Sequence, residues 1–264
     1  MKRLERNMED PESRAFWQRL EARVASFMSL PDWLREAAKG SVASRKDLSG
    51  SGKKKSSRTK GGSMTIEELC ERSYTTAVNK GWHEEPRSFG EVTSLFHSEV
   101  SEALECWRDP AHTIADVWES ESGKPEGFVV ELADLLIRIG DTCVETKIPL
   151  AKMLNNTTIS MLGYGMEDAV QNAMRTVPEW LAYIHACLSR AFEDFILDDC
   201  DRGGTREEQA SVMLAKAIVT VGTICRLNGL DLEASLIKKM DHNDTRPPEY
   251  YDALAKFFGE LQIM

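Results

Sequence analysis

The strongest constraint on this chain is a pair of helical stretches that combine an apolar face with carboxylates three residues apart. Residues 96–107 read FHSEVSEALECW and carry Glu99 and Glu102; residues 130–139 read VELADLLIRI and carry Glu131 and Asp134. Residues three apart on a helix stand one above the other on the same face. Val100, Leu104 and Trp107 in the first stretch continue a helical apolar pattern, as do Leu132, Leu135, Leu136 and Ile139 in the second. Four carboxylates on two facing helices raise one another's pKa unless another charge compensates them. Hard divalent cations with oxygen ligands, Mg²⁺ above all, are the usual compensation. A lone ExxE more often marks a solvated acidic face. Two such pairs inside apolar helices favour a metal.

ExxE followed by ExxD resembles the signature of the all-α nucleoside triphosphate pyrophosphohydrolases, the superfamily of MazG-like enzymes, dimeric dUTPases and dCTP pyrophosphatases. GWHEEPRSFGE before it, KPEGFVVELADLL across it and KMDHNDTRP further on are similar to that family's blocks in the same order. The resemblance spans roughly residues 64–247. It implies that Glu99, Glu102, Glu131 and Asp134 ligate Mg²⁺ (Mn²⁺ as substitute) around a nucleoside triphosphate. Water then cleaves the substrate to a monophosphate and pyrophosphate, a reaction suited to clearing the nucleotide pool. The physics agrees, since a metal neutralises phosphate charge, orients water and lowers its pKa. A carboxylate oxygen left free of metal would take the proton, with no signal as to which.

The chain then begins again. Residues 179–196 overlay 91–108 at an offset of 88, placing His185 on His97 and Ala191 on Ala103. Residues 213–232 overlay 131–150 at an offset of 82, and 239–243 overlay 152–156 at 87. Three overlays in one order indicate an internal duplication. Under these offsets Cys187 stands for Glu99, Arg190 for Glu102, Met213 for Glu131 and Lys216 for Asp134. All four carboxylates are gone and two positions are cationic. The expected fold is therefore an all-α antiparallel bundle of two tandem homologous halves, a pseudo-dimer whose second half is degenerate.

Lys239 and Asn243 share one helical face, and the resemblance gives them contacts to phosphate or sugar, with Arg246 following. Lys152 and Asn156 repeat the spacing in the first half. Which pair serves the site depends on how the halves pack. Trp82, after Gly81, is a candidate base-stacking ring by the same resemblance, although a turn tryptophan is more often an apolar anchor. Asp141 reads as polar rim rather than an outer ligand. His97 lies off the Glu99 face and reads, with His185, as a helix–helix hydrogen-bonding residue.

Boundaries follow composition. Residues 1–39 form an N-terminal helical extension, with Phe16, Leu20, Val24 and Phe27 on one face. Residues 40–63, SRKDLSGSGKKKSSRTKGGS at their core, read as a disordered basic linker. The catalytic half is 64–160, and the degenerate half with a C-terminal tail is 161–264. Residues 1–63 hold 15 Lys+Arg against 8 Asp+Glu, a balance of +7; the remainder holds 18 against 35, a balance of −17. The acidic body disfavours broad nucleic-acid binding, and the basic linker reads first as a solubilising tether. No signal-peptide pattern or continuous apolar run of membrane length stands out. Six scattered cysteines without CxxC suggest reduced thiols in a cytoplasmic protein. Expected partners are the triphosphate substrate and further copies of the pseudo-dimer. From another class, a non-catalytic nucleotide sensor or scaffold recruiting a partner through residues 1–39 is the alternative. The intact quartet disfavours it.

Overall fold

The computed structural model describes residues 64–154, 176–197 and 204–246. The extension, the linker and Asn156 lie outside the described residues.

Thr65 opens the first helix, α1 (Ile66–Asn79), with the reciprocal cap its sequence predicts. Its hydroxyl accepts from the Glu68 N–H at 3.1 Å, and the Glu68 carboxylate accepts from the Thr65 N–H at 2.9 Å. Gly81, at φ 79°, then turns the chain, a left-handed conformation that costs glycine little. Ser88 caps α2 (Phe89–Arg108) by accepting from the Glu91 N–H, so α2 starts two residues before the expected Glu91. The expected polar loop contains a short hairpin in which β1 (Trp118–Glu119) pairs antiparallel with β2 (Pro125–Glu126). Gly127, at φ 134°, is required just beyond it, because a Cβ there would meet the Asp116 carbonyl oxygen at 2.5 Å. The hairpin can thus fold down onto the start of α3 (Phe128–Glu145).

α3 is buried nearly all round and is the spine of the fold. It packs against α1, α2 and α6 (Leu232–Thr245) and touches α5 (Arg206–Leu227); α4 (Val177–Leu197) packs along α5 and against α2. Phe96, Phe128, Leu132, Leu135, Leu136 and Ile139 are essentially fully buried where α2 and α3 meet. Each such side chain contributes ~1.5–3 kcal/mol by burial, which holds the carboxylate-bearing helices together. The described residues are all-α apart from the two-residue strands.

Lys216 interrupts the apolar stretch of helix α5, so it holds no uninterrupted apolar run of membrane length. By length and composition it could cross a membrane, with a mean hydropathy of 1.6 over its most apolar window, yet 72% of that window is buried inside the protein. Its apolar surface is spent on α4 and α3. It is a core helix.

α6 leaves the end of α5 and lies on α3 and α1. Arg72 of α1 fixes it there, its Nη2 donating to Asp241 and Asp244 at 2.6 Å each. The Thr76 hydroxyl donates to Asp244 Oδ1 at 2.5 Å, and Lys80 donates to the Asp244 and Arg246 carbonyls. A polar seam of this kind fixes register as well as adding stability.

Candidate metal centre

Spacing on α2 and α3 turns four carboxylates toward the seam between those helices. Ligand oxygens of Glu99, Glu102 and Glu131 all lie within 4.8 Å of one another. That is compatible with a shared ion ligated at ~2.0–2.1 Å, where opposite oxygens stand about 4 Å apart. Glu99 and Glu131 are buried at 2% and 1% exposure, while Glu102 opens to solvent. Glu131 Oε2 is buried without a hydrogen-bond partner. A carboxylate oxygen in that state costs several kcal/mol unless something binds it. All-oxygen donors, an anionic set and an orphaned buried oxygen fit a hard divalent cation.

Asp134, one helical turn beyond Glu131, lies outside that group of three, and the structure gives it a partner. Lys239 Nζ lies 2.6 Å from Asp134 Oδ2 and also donates to the Pro125 carbonyl at 3.4 Å. Lys239 is only 2% exposed, and it arrives from α6, the last described helix. Asn243, four residues on, is buried on the same face. Arg246 ends α6, its carbonyl accepting from Lys80. Lys152 goes elsewhere: it is exposed and pairs with Glu208 at the start of α5 at 2.9 Å. The structure therefore brings Lys239 to the quartet and does not bring Lys152.

Two cations escaped the sequence reading. Arg138 donates from Nε to Glu99 Oε1 at 2.5 Å. It lies four residues after Asp134 on the same face, a spacing that could have flagged it. Lys124, in the hairpin, is held 3.3 Å from Glu126. Burial opposes its charge, but Glu131 and Glu126 outweigh that and keep its pKa above the usual value. Nothing in a linear reading of KPEG places it over the acidic cluster. The hairpin does so only because Gly127 lets it close.

The electrostatics follow from burial. Desolvation pushes Glu99 up to about 7, against the pull of Arg138 and with help from Asp134 and Glu102. It pushes Glu131 to about 8, with Asp134 adding to the rise and Lys239 and Lys124 opposing it. Asp134 is raised too, again by burial and against Lys239. Without a metal Glu131 retains its proton at neutral pH and Glu99 does so in part. A divalent cation would displace these protons.

A small cavity of about 20 Å³, room for about one water, lies beside Arg138 and is lined by Trp82, Arg87, Phe96, Arg138 and Asp141 among others. Trp82 is thus on a wall shared with Arg138, whose guanidinium reaches Glu99. Asp141 is not rim: it is buried, held by His83 Nε2 at 2.7 Å and Arg87 Nη2 at 3.3 Å. His83 Nδ1 lies 3.0 Å from Glu145 outside hydrogen-bond geometry, so the imidazole ties the α1–α2 turn to α3 through Asp141. His97 Nδ1 meets His185 Nδ1 at 2.7 Å across α2 and α4, with near-parallel rings. That is the helix–helix role expected of the pair.

No family model, curated protein or solved structure matches the chain.

Proposed function

We propose that the protein is a Mg²⁺-dependent nucleoside triphosphate pyrophosphohydrolase, releasing a nucleoside monophosphate and pyrophosphate. The observation that carries this reading is the orphaned Glu131 Oε2 inside a buried group of carboxylates from α2 and α3, beside an ammonium at Asp134. A site with hard anionic ligands and adjacent cations suits a metal-bound polyphosphate better than either alone. The resemblance of ExxE, ExxD and their flanking blocks to MazG-like enzymes points the same way. Glu99, Glu102, Glu131 and Asp134 would hold the metal, which when bound activates water and neutralises phosphate charge. Lys239 and Asn243 would meet the phosphates or sugar, and Trp82 would offer its ring to the base. A screen of canonical and modified nucleoside triphosphates with Mg²⁺, read as pyrophosphate release, tests the assignment. Binding without turnover would favour a nucleotide sensor instead.

The same proposal includes a pseudo-dimer, for which three observations speak. His97 and His185, equivalent at the 88-residue offset, touch each other. A residue meets its own counterpart only near a two-fold axis. The ends of α3 and α5 also match at the 82-residue offset. Ile148 N–H donates to Cys143 O at 2.9 Å around Lys147 at φ 60°, and Leu230 N–H donates to Cys225 O at 2.8 Å around Gly229 at φ 66°. Lys147 there adopts a conformation that favours glycine. The third is a reciprocal exchange: α6, after α5, packs on α3, while Lys152, just beyond α3, pairs with Glu208 of α5. One active quartet would then be completed by the second half.

A further inference from the structure

The quartet is already occupied by charge. Lys239 Nζ sits 2.6 Å from Asp134, Arg138 Nε sits 2.5 Å from Glu99, and Lys124 pairs with Glu126 on the hairpin beside them at 3.3 Å. The two lysines come from elements that clasp each other. Lys239 donates to the Pro125 carbonyl, and Lys238 pairs with Glu119 at 3.1 Å, so α6 is tied to both strands of the hairpin. A cation entering the quartet must therefore approach three fixed positive charges and take an oxygen that an ammonium already holds.

We infer that Lys239, Arg138 and Lys124 act as resident counter-cations that block the divalent cation from binding alone, and that the lysines pass from the carboxylates to the polyphosphate when both ligands arrive. The inference rests on the reading that the quartet takes a divalent cation, and it adds an order to the site. Metal alone would repel the ammonium of Lys239 and leave that buried group only its long bond to the Pro125 carbonyl, which is costly. Polyphosphate alone would meet an anionic wall. Together each removes the other's penalty, because phosphate oxygens accept the lysine N–H groups that the metal displaces. A lysine ammonium on its flexible stem can make that transfer with a small movement. Coupling of this kind is reciprocal: the cation must improve polyphosphate affinity by the same factor that polyphosphate improves cation affinity. Since Lys239 belongs to α6, the second half would control when the first half's site loads.

The test uses the full chain and two probes, Mn²⁺ alone by electron paramagnetic resonance and the preformed Mn²⁺–tripolyphosphate complex by calorimetry. Lys239→Met should bind Mn²⁺ alone about tenfold more tightly and the complex about tenfold more weakly, within the usual range of coupling between sites. Arg138→Met, at a partly exposed position, should tighten Mn²⁺ alone in the same direction and covers the case in which Lys239→Met fails to fold. A lysine with a merely structural role would weaken both ligands when removed. If Mn²⁺ alone binds the wild type and both variants equally, or the variants more weakly, the counter-cation inference is overturned while the metal site stands. If neither probe binds any form, the metal reading itself falls and takes the inference with it.

Discussion

Two regions of the molecule use similar helical frameworks for opposite electrostatics. Between α2 and α3 lie Glu99, Glu102, Glu131 and Asp134, with Glu99 and Glu131 almost wholly buried. At the offset positions on α4 and α5 lie Cys187, Arg190, Met213 and Lys216. Cys187 is buried, Lys216 half-buried and Arg190 exposed, and neither cation makes an ion pair among the described residues. Burial of an ionised carboxylate costs several kcal/mol, so a fold keeps such groups only where something compensates them. The first region recruits Lys239, Arg138 and Lys124 and still leaves Glu131 Oε2 unsatisfied. The second region has no such strain. Under the proposed duplication, a framework kept while its acids are lost is what packing without metal binding would leave.

The largest expected effect separates the regions outright. Glu131→Gln or Glu99→Gln should lower turnover by about a thousandfold or more, since metal-ion stabilisation supplies several kcal/mol. The apo fold should keep its thermal stability at neutral pH and gain some above about pH 8, where the substitution removes a buried charge. Steady-state kinetics paired with apo melting curves checks both halves of the statement, and full activity in either variant would sink the ligand assignment.

Loosening α6 sharpens the comparison, because it asks whether the second half completes the first half's site. Arg72→Ala removes both carboxylate contacts that seat α6 on α1. With those groups partly exposed, the stability cost should be only ~1 kcal/mol. KM should rise more than kcat falls, since Lys239 is displaced while the quartet stays intact. Unchanged kinetics would detach α6 from the site.

pH gives a third contrast. Burial lifts Glu99 from 4.5 to about 7 and Glu131 from 4.5 to about 8. A raised folded-state pKa gives stability that is complete below the unfolded value and lost as pH rises through the folded one. The apo protein should therefore lose stability between pH ~5 and ~8, by up to ~1.4 kcal/mol per unit for each carboxylate. Mg²⁺ together with a non-hydrolysable triphosphate should restore it at the upper end. Glu131→Gln should flatten the slope, and a melting series across pH with and without both ligands reads it directly.

Legibility differed by element. The Thr65–Glu68 cap, the Gly81 stop and the apolar face of α3 rest on local chemistry, and the sequence displays them. Helix bounds shifted where a cap was missed, as at Ser88. The acidic pairs were visible because i, i+3 spacing is local too. Their counter-charges were not. Lys239 over Lys152 depends on which face α6 packs against, and Lys124 depends on a hairpin closed by one glycine. Asp141, taken for rim, is interior because the α1–α2 turn brings His83 and Arg87 onto it. The membrane-length character of α5 was masked by charges at its start and by Lys216 within it.

The smallest effect lies in the second region. Arg190→Ala or Lys216→Ala should leave turnover unchanged and shift stability by no more than ~0.5 kcal/mol, as expected for cations without partners near the surface. Loss of activity in either would give the second half a direct part in substrate binding.

The central claim is one metal–nucleotide site per chain, built by the first half and completed by α6. Titration calorimetry of the full chain with Mg²⁺ and a non-hydrolysable nucleoside triphosphate measures that stoichiometry. The account predicts one equivalent per chain, lost in Glu131→Gln and retained in Lys216→Ala. Two equivalent sites per chain would contradict it.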